Sequence, residues 1–168
     1  MIRLRENKGF NIIGLMVTIL IIASLVAIAV PNFKRFKIQA NETAAVSTLM
    51  NIASAFETYR ETHNAYPQGE TSTEIFGQLP PLIDTTLATV RERRGYRFMI
   101  ASNDLPAAHT FAVYAGPKQE GTTGIMWYKI DQTGSVYCST DVVYDATTGS
   151  LTAPYGWHQL YAHPVILK

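Results

Sequence analysis

Residues 9–33 read Gly9-Phe10-Asn11-Ile12-Ile13-Gly14-Leu15-Met16-Val17-Thr18-Ile19-Leu20-Ile21-Ile22-Ala23-Ser24-Leu25-Val26-Ala27-Ile28-Ala29-Val30-Pro31-Asn32-Phe33, twenty-five consecutive positions without a charged side chain. As a helix rising 1.5 Å per residue, the run is roughly 37 Å long, more than the ~30 Å hydrocarbon core of a bilayer. Before it stand Arg3, Arg5 and Lys8 against one acid, Glu6. That positive flank predicts an N-terminus left in the cytoplasm and a remainder that is exported. An ordinary secretory signal is the competing reading, and Ala27-Ile28-Ala29 even offers a small-x-small cleavage site. Two features oppose it. Signal h-regions span ~7–15 residues, and the sequence beyond Ala29 continues as helix rather than as a fresh mature terminus.

From Ala45 onward, Leu49, Ile52, Phe56 and Tyr59 recur at steps of four, three, four and three, the period of an amphipathic helix. The helix is expected to end near His63-Asn64-Ala65-Tyr66-Pro67, because proline disfavours helical geometry in the residue before it and Asn punctuates helix ends. One helix of about fifty residues results, apolar all round in its first half and one-faced in its second. Pro31 lies inside it and is expected to kink it, having no N–H to donate.

A polar connector, Gln68 to Pro81, follows, with a turn of helix expected around Glu74 to Leu79 and another short helix over Leu82 to Val90. After Gly95 the texture becomes short, aromatic and β-branched: Tyr96–Ile100, Thr110–Tyr114, Ile125–Ile130 and Ser135–Cys138. Turns are expected at Ser102 to Pro106, at Gly116-Pro117 and at Asp131-Gln132-Thr133-Gly134. The last fits a hairpin with Gly134 in a left-handed position. The fold class expected is α+β: a long N-terminal helix whose amphipathic second half packs on a small antiparallel sheet of three or four strands.

Among 168 residues, charged side chains are 16% against the ~25% usual in soluble chains, and hydrophobic residues are 47%. One domain plus an extra apolar segment fits this length, and two catalytic domains do not. A net charge of +1 argues against a surface wholly devoted to nucleic acid. Cys138 is the only cysteine, which excludes an internal disulfide and a cysteine zinc site, and the apolar alternation around it favours a buried thiol.

Lys8-Gly9-Phe10-Asn11-Ile12-Ile13-Gly14-Leu15-Met16-Val17-Thr18-Ile19, with Pro31-Asn32-Phe33 further on, resembles the processing and anchor motif of type IV pilins and type II secretion pseudopilins. The resemblance is specific over Lys8 to Phe33 and weaker beyond. It implies that a prepilin peptidase cuts between Gly9 and Phe10 and N-methylates Phe10. The subunit would then wait in bacterial inner-membrane lipid until an inner-membrane assembly platform extracts it into a periplasmic or extracellular filament of pilin subunits. The division expected is a cleaved basic leader over 1–9, a transmembrane or filament-core helix over 10–33, an amphipathic helix over 34–66, and a connector with an antiparallel β-sheet head over 67–168. Small residues in the apolar run, among them Gly14, Ala23, Ser24, Ala27 and Ala29, permit close helix packing, although membrane helices carry such residues in any case.

Gly14 departs from the family pattern, in which a glutamate usually stands there to neutralise a neighbour's amino terminus. A buried unpaired ammonium is costly. Three placements answer the loss: a filament tip, a minor subunit among glutamate-bearing ones, or a filament that hydrates or deprotonates the amine. A minor or tip subunit is the favoured expectation, with a divergent major pilin close behind. The second functional class is a membrane-tethered module for adhesion or DNA uptake that never polymerises.

No catalytic constellation stands out, and no cofactor or metal is expected. His63, His109, His158 and His163 are scattered, without HExxH or a glycine-framed serine. Glu57 and Glu61 beside Arg60 read as solubilising charges on a helix face. Asp131, Asp141 and Asp145 lie in turn-rich sequence without EF-hand spacing, so turn formation outweighs calcium binding. Arg91, Arg93, Arg94 and Arg97 form the one basic cluster and offer an anionic-ligand patch, nucleic acid included. A solvated loop with Glu92 as counter-ion is the favoured alternative. The aromatic series Phe10, Phe33, Phe36, Phe56 and Tyr59 reads as core packing rather than an electron path.

Overall fold

The computed structural model describes residues 11–80, 82–101, 105, 107–145 and 147–161. The leader over 1–9, Phe10 and His163 lie outside these residues, as does most of the turn expected from Ser102 to Pro106. By contacts, the chain divides between Phe36 and Lys37 into two units.

Helix α1, Ile12–His63, runs through both. Its first turn is capped by Asn11, whose side-chain oxygen accepts from the backbone N–H of Ile13 at 3.2 Å and of Gly14 at 3.3 Å. At the other end Asn64 adopts a left-handed conformation, φ 58°, and its N–H bonds the Arg60 carbonyl at 2.8 Å, closing the helix where the sequence predicts. In the first unit every described residue is solvent-exposed.

In the second unit, Ala45, Thr48, Leu49, Ile52, Ala53, Ala55 and Phe56 of α1 are buried, the stripe that the period of three and four requires. Thr48 sits there without penalty because its hydroxyl donates to the Ala44 carbonyl. Two short helices follow. In α2, Ser72–Gly77, Thr71 caps the first turn and accepts from Glu74 N–H, while Glu74 reaches back to the Glu70 N–H at 2.8 Å. In α3, Thr85–Val90, Asp84 caps by accepting from Thr86 N–H, which starts the helix three residues later than the apolar pattern from Leu82 suggests.

The strands are β1 Glu92–Arg93, β2 Tyr96–Met99, β3 Ala112–Pro117, β4 Trp127–Asp131, β5 Val136–Ser139, β6 Val143–Asp145, β7 Ser150–Thr152 and β8 His158–Tyr161. An antiparallel sheet of order β1-β2-β3-β4-β5-β8 forms, and β6 and β7 pair as a separate hairpin. The sheet is therefore larger than the three or four strands expected. β1 is two charged residues, and β6 to β8 are short and largely polar, so their pairing rather than their composition makes them strands. Gly116-Pro117, expected as a turn, is the end of β3. Gly116 is needed there because a Cβ would collide with the Trp127 ring of β4, and Pro117 stands opposite Tyr96 at the strand end. The Asp131–Gly134 hairpin turn forms as expected, with Gly134 at φ 71° and its N–H on the Asp131 carbonyl at 2.9 Å.

Alternation along the strands feeds two cores. Phe98, Val113, Ala115, Tyr128, Ile130 and Val136 pack with α1, α2 and α3. Met99, Ala112 and Tyr114 point to the opposite face and meet Leu151 of β7, with Val142, Trp127 and Trp157 beside them. The second face is thus covered by the C-terminal hairpin, which the sequence reading does not anticipate. Cys138, expected to be buried, is only partly so and packs against the larger core, where burial raises its thiol pKa.

Candidate functional site

Along residues 12–36 large apolar side chains face outward on every side: Ile13 is 73% exposed, Leu20 68% and Phe33 71%. No stretch of this length survives uncovered in water without a partner or a lipid phase. The few polar side chains within it serve their own helix. Thr18 donates to the Gly14 carbonyl at 2.8 Å, Ser24 to the Ile21 carbonyl at 2.8 Å, and Asn32 to the Ile28 carbonyl at 3.1 Å. These three side chains therefore bond within the helix, which suits an apolar surround. The helix is long and apolar enough to cross a membrane. Lys34, Arg35 and Lys37, all exposed, close the run at its C-terminal end, so both ends are basic and the orientation argument from charge is weaker than Arg3, Arg5 and Lys8 alone make it.

Gly14 lies in the first turn of α1. A Cβ placed on it would meet the Asn11 side chain at 3.5 Å, an ordinary contact, so nothing within the chain demands glycine there. Pro31 lies within α1, which continues on both sides of it. Phe33 and Phe36 are 71% and 67% exposed, so core packing does not account for them as it does for Phe56.

No protein-family model matches the chain. It is 35% identical over 65 residues to a type II secretion system core protein G of Pectobacterium carotovorum, covering 39% of this chain and 42% of the relative. The core protein G of Escherichia coli is 30% identical over 91 residues, covering 54% and 61%. A type IV wide pilus major component of Thermus thermophilus is 28% identical over 100 residues, covering 60% and 76%. The chain is thus similar to type II secretion core proteins G and to type IV pilus components. It spans about half the length of the type II secretion relatives it matches first. A long N-terminal helix whose second half packs on an antiparallel sheet is the pilin-like fold that the motif at Lys8 to Phe33 implies.

Within the head the four arginines do not share a solvated loop. Arg91 is the C-cap of α3, Arg93 belongs to β1, Arg94 occupies the left-handed position of the turn at φ 46°, and Arg97 belongs to β2. Their hairpin sorts them. Arg97 pairs with Glu92 at 2.9 Å, and Lys118 joins the same carboxylate at 2.6 Å. Those two cations, Lys118 before Arg97, lower the Glu92 pKa. Arg91 and Arg93 line different clefts.

Glu57 does more than solubilise. It pairs with Arg60 at 2.6 Å and accepts from the Tyr66 hydroxyl at 2.5 Å, tying the chain just past α1 back onto the helix. Burial, then the bond to Glu57 and its charge, push the Tyr66 phenol up to about 12. Asp131 and Asp145 are occupied by Thr133 and by Thr147 and Thr148 in their own turns, which lowers the Asp145 pKa through the Thr148 hydroxyl first. His63 stacks on Tyr59 at 3.9 Å between centroids. His109 and His158 stand apart from it as exposed residues. Sequence reasoning passed over Asn11, though an Asn just before an apolar helical run is a start signal, and over Lys34, Arg35 and Lys37, legible as the first charges after Phe33.

Proposed function

We propose that the chain is a non-enzymatic structural subunit of a filament of the type IV pilus or type II secretion pseudopilus kind. The observation that carries this is the uncharged, exposed helical run, whose Thr18, Ser24 and Asn32 side chains bond back to their own helix. Such a rod is soluble in lipid and equally at home among copies of itself, because helices leaving lipid for a bundle gain close packing rather than hydrophobic burial. In this reading a prepilin peptidase removes the leader between Gly9 and Phe10 and methylates Phe10. The mature subunit resides in the bacterial inner membrane, and the assembly platform passes it to a periplasmic or extracellular filament with other pilin subunits. Mass spectrometry of the purified protein tests this: an N-terminal peptide beginning with methylated Phe10 is expected. A terminus at Val30, with the anchor gone, overturns the reading, and an intact leader points to a tethered module instead.

Gly14 supports a minor or tip position, since a subunit lacking the family's glutamate fits best where no neighbour's amine needs it. Gly14→Glu distinguishes this from a major pilin. The helix accepts the side chain, and a glutamate three residues after the Asn11 cap can bond back to the Asn11 N–H, so failure to assemble is not failure to fold. In sheared filaments, labelled wild type is expected at low stoichiometry or at one end, and Gly14→Glu at lower abundance still. Wild-type label along the whole filament, with better incorporation of the mutant, assigns a major subunit.

A further inference from the structure

Arg91 is held in a way its neighbours in the basic cluster are not. It caps α3 in a left-handed conformation, φ 57° and ψ 25°, which disfavours every residue with a Cβ and usually selects Gly or Asn. Both backbone groups are fixed there: its N–H bonds the Leu87 carbonyl at 3.0 Å, and its carbonyl accepts from Phe98 N–H at 2.7 Å. The side chain is equally unusual. Its Nε is buried without a hydrogen-bond partner among the described residues, and no ion pair there engages its guanidinium. Buried guanidinium donors are ordinarily satisfied, and strained backbone recurs at ligand clamps.

The residue lines a cleft of about 680 Å³ with Glu70, Glu92, Arg97, Tyr144 and Thr148, within the size range of small-ligand sites. The charges in that wall are unequal in availability. Arg97 is committed to Glu92, and Glu92 is further balanced by Lys118, so among the described residues Arg91 is the cation of this wall without an ion pair. At the end of its planar guanidinium two Nη–H groups stand side by side, a spacing that matches the two oxygens of a carboxylate. The carboxylates of Glu70 and Glu92 in the same wall disfavour a dianion such as phosphate, or a polyphosphate backbone.

We propose that this cleft binds a carboxylate through Arg91, supplied either by an acidic side chain on a peptide segment or by a free organic acid. The inference does not depend on filament assembly, and its test uses the full chain in detergent micelles. With arginine labelled by ¹⁵N, the Nε–Hε signal of Arg91, identified by its loss in Arg91→Gly, is followed during titration at constant ionic strength with acetate, an end-blocked glutamate tripeptide, inorganic phosphate and chloride.

Saturable movement with the carboxylates, and not with chloride, is expected. Tighter binding of the tripeptide than of acetate assigns the site to a peptide side chain, and equal binding assigns it to a free acid. Arg91→Gly suits the left-handed position and so keeps the fold. Carboxylate affinity, read from backbone amides of Thr148 and Gly149, should fall at least about tenfold in this variant and in Arg91→Lys, which keeps the charge but not the fork. No saturable shift, phosphate binding more tightly than the carboxylates, or unchanged affinity in Arg91→Gly overturns the proposal.

Discussion

Phe33 and Phe56 are the same residue on one helix, yet Phe33 is 71% exposed and Phe56 is fully buried. Phe56 packs against Phe111 at 4.7 Å between centroids, Tyr66 at 6.3 Å and Phe76 at 6.5 Å. Around Phe33 the described residues supply no cover. Both regions are helical, so the contrast teaches that helix formation and burial are separate decisions. In the head, the connector and sheet satisfy the apolar stripe of α1 from within the chain. Residues 12–36 leave theirs exposed.

The comparison breaks most visibly in a pair of truncations. Phe56→Ala should cost the head about 3–5 kcal/mol, the range for deleting a buried aromatic ring, seen as a fall in the thermal midpoint. Phe33→Ala should leave that midpoint unchanged. Equal losses would mean that residues 12–36 contribute to the stability of the head.

A charge placed in the middle of the apolar run sharpens the other side. Ile21→Asp should make membrane insertion less favourable by about 3–4 kcal/mol, read as reduced retention after alkaline extraction, with thermal unfolding of the head unaltered. Full retention of the mutant would remove lipid as the natural surround of this helix.

The smallest effect concerns the tie between the regions of the head. Tyr66→Phe removes the hydroxyl that donates to Glu57, and should cost about 1 kcal/mol at neutral pH. Its pH signature is more specific. The Tyr66 phenol is raised to about 12 in the folded protein and lies near 10 when unfolded, so the unfolded chain releases this proton first. Stability should therefore decline as pH rises from about 10 to about 12, and the decline should be shallower in Tyr66→Phe. Identical alkaline limbs in denaturant melts would assign the loss to other groups.

Much of the fold was legible because periodic signals were long. The steps through Leu49, Ile52, Phe56 and Tyr59 foretell the buried face of α1, and Asn64 before Tyr66-Pro67 foretells its end. Short elements were not legible. Glu92-Arg93 becomes a strand only because Tyr96 and Arg97 fold back on it, and Ser150-Leu151-Thr152 only because Val143-Tyr144-Asp145 lies alongside. Gly116 looked like a turn signal, and its reason was a tryptophan eleven positions away.

The candidate sites divide along the same line. Sequence by itself determined the uncharged run from Gly9 to Phe33, its basic flank, the absence of a carboxylate at Gly14, and the helix that must follow, since charge, apolarity and period are properties of neighbouring residues. Tertiary structure alone decided what became of the arginines. Four positive charges within seven residues read as one patch, but the β1–β2 hairpin commits Arg97 to Glu92 and leaves Arg91 strained in a cleft, without an ion pair among the described residues. Which charge is neutralised depends on distances across strands, and a linear sequence does not contain them.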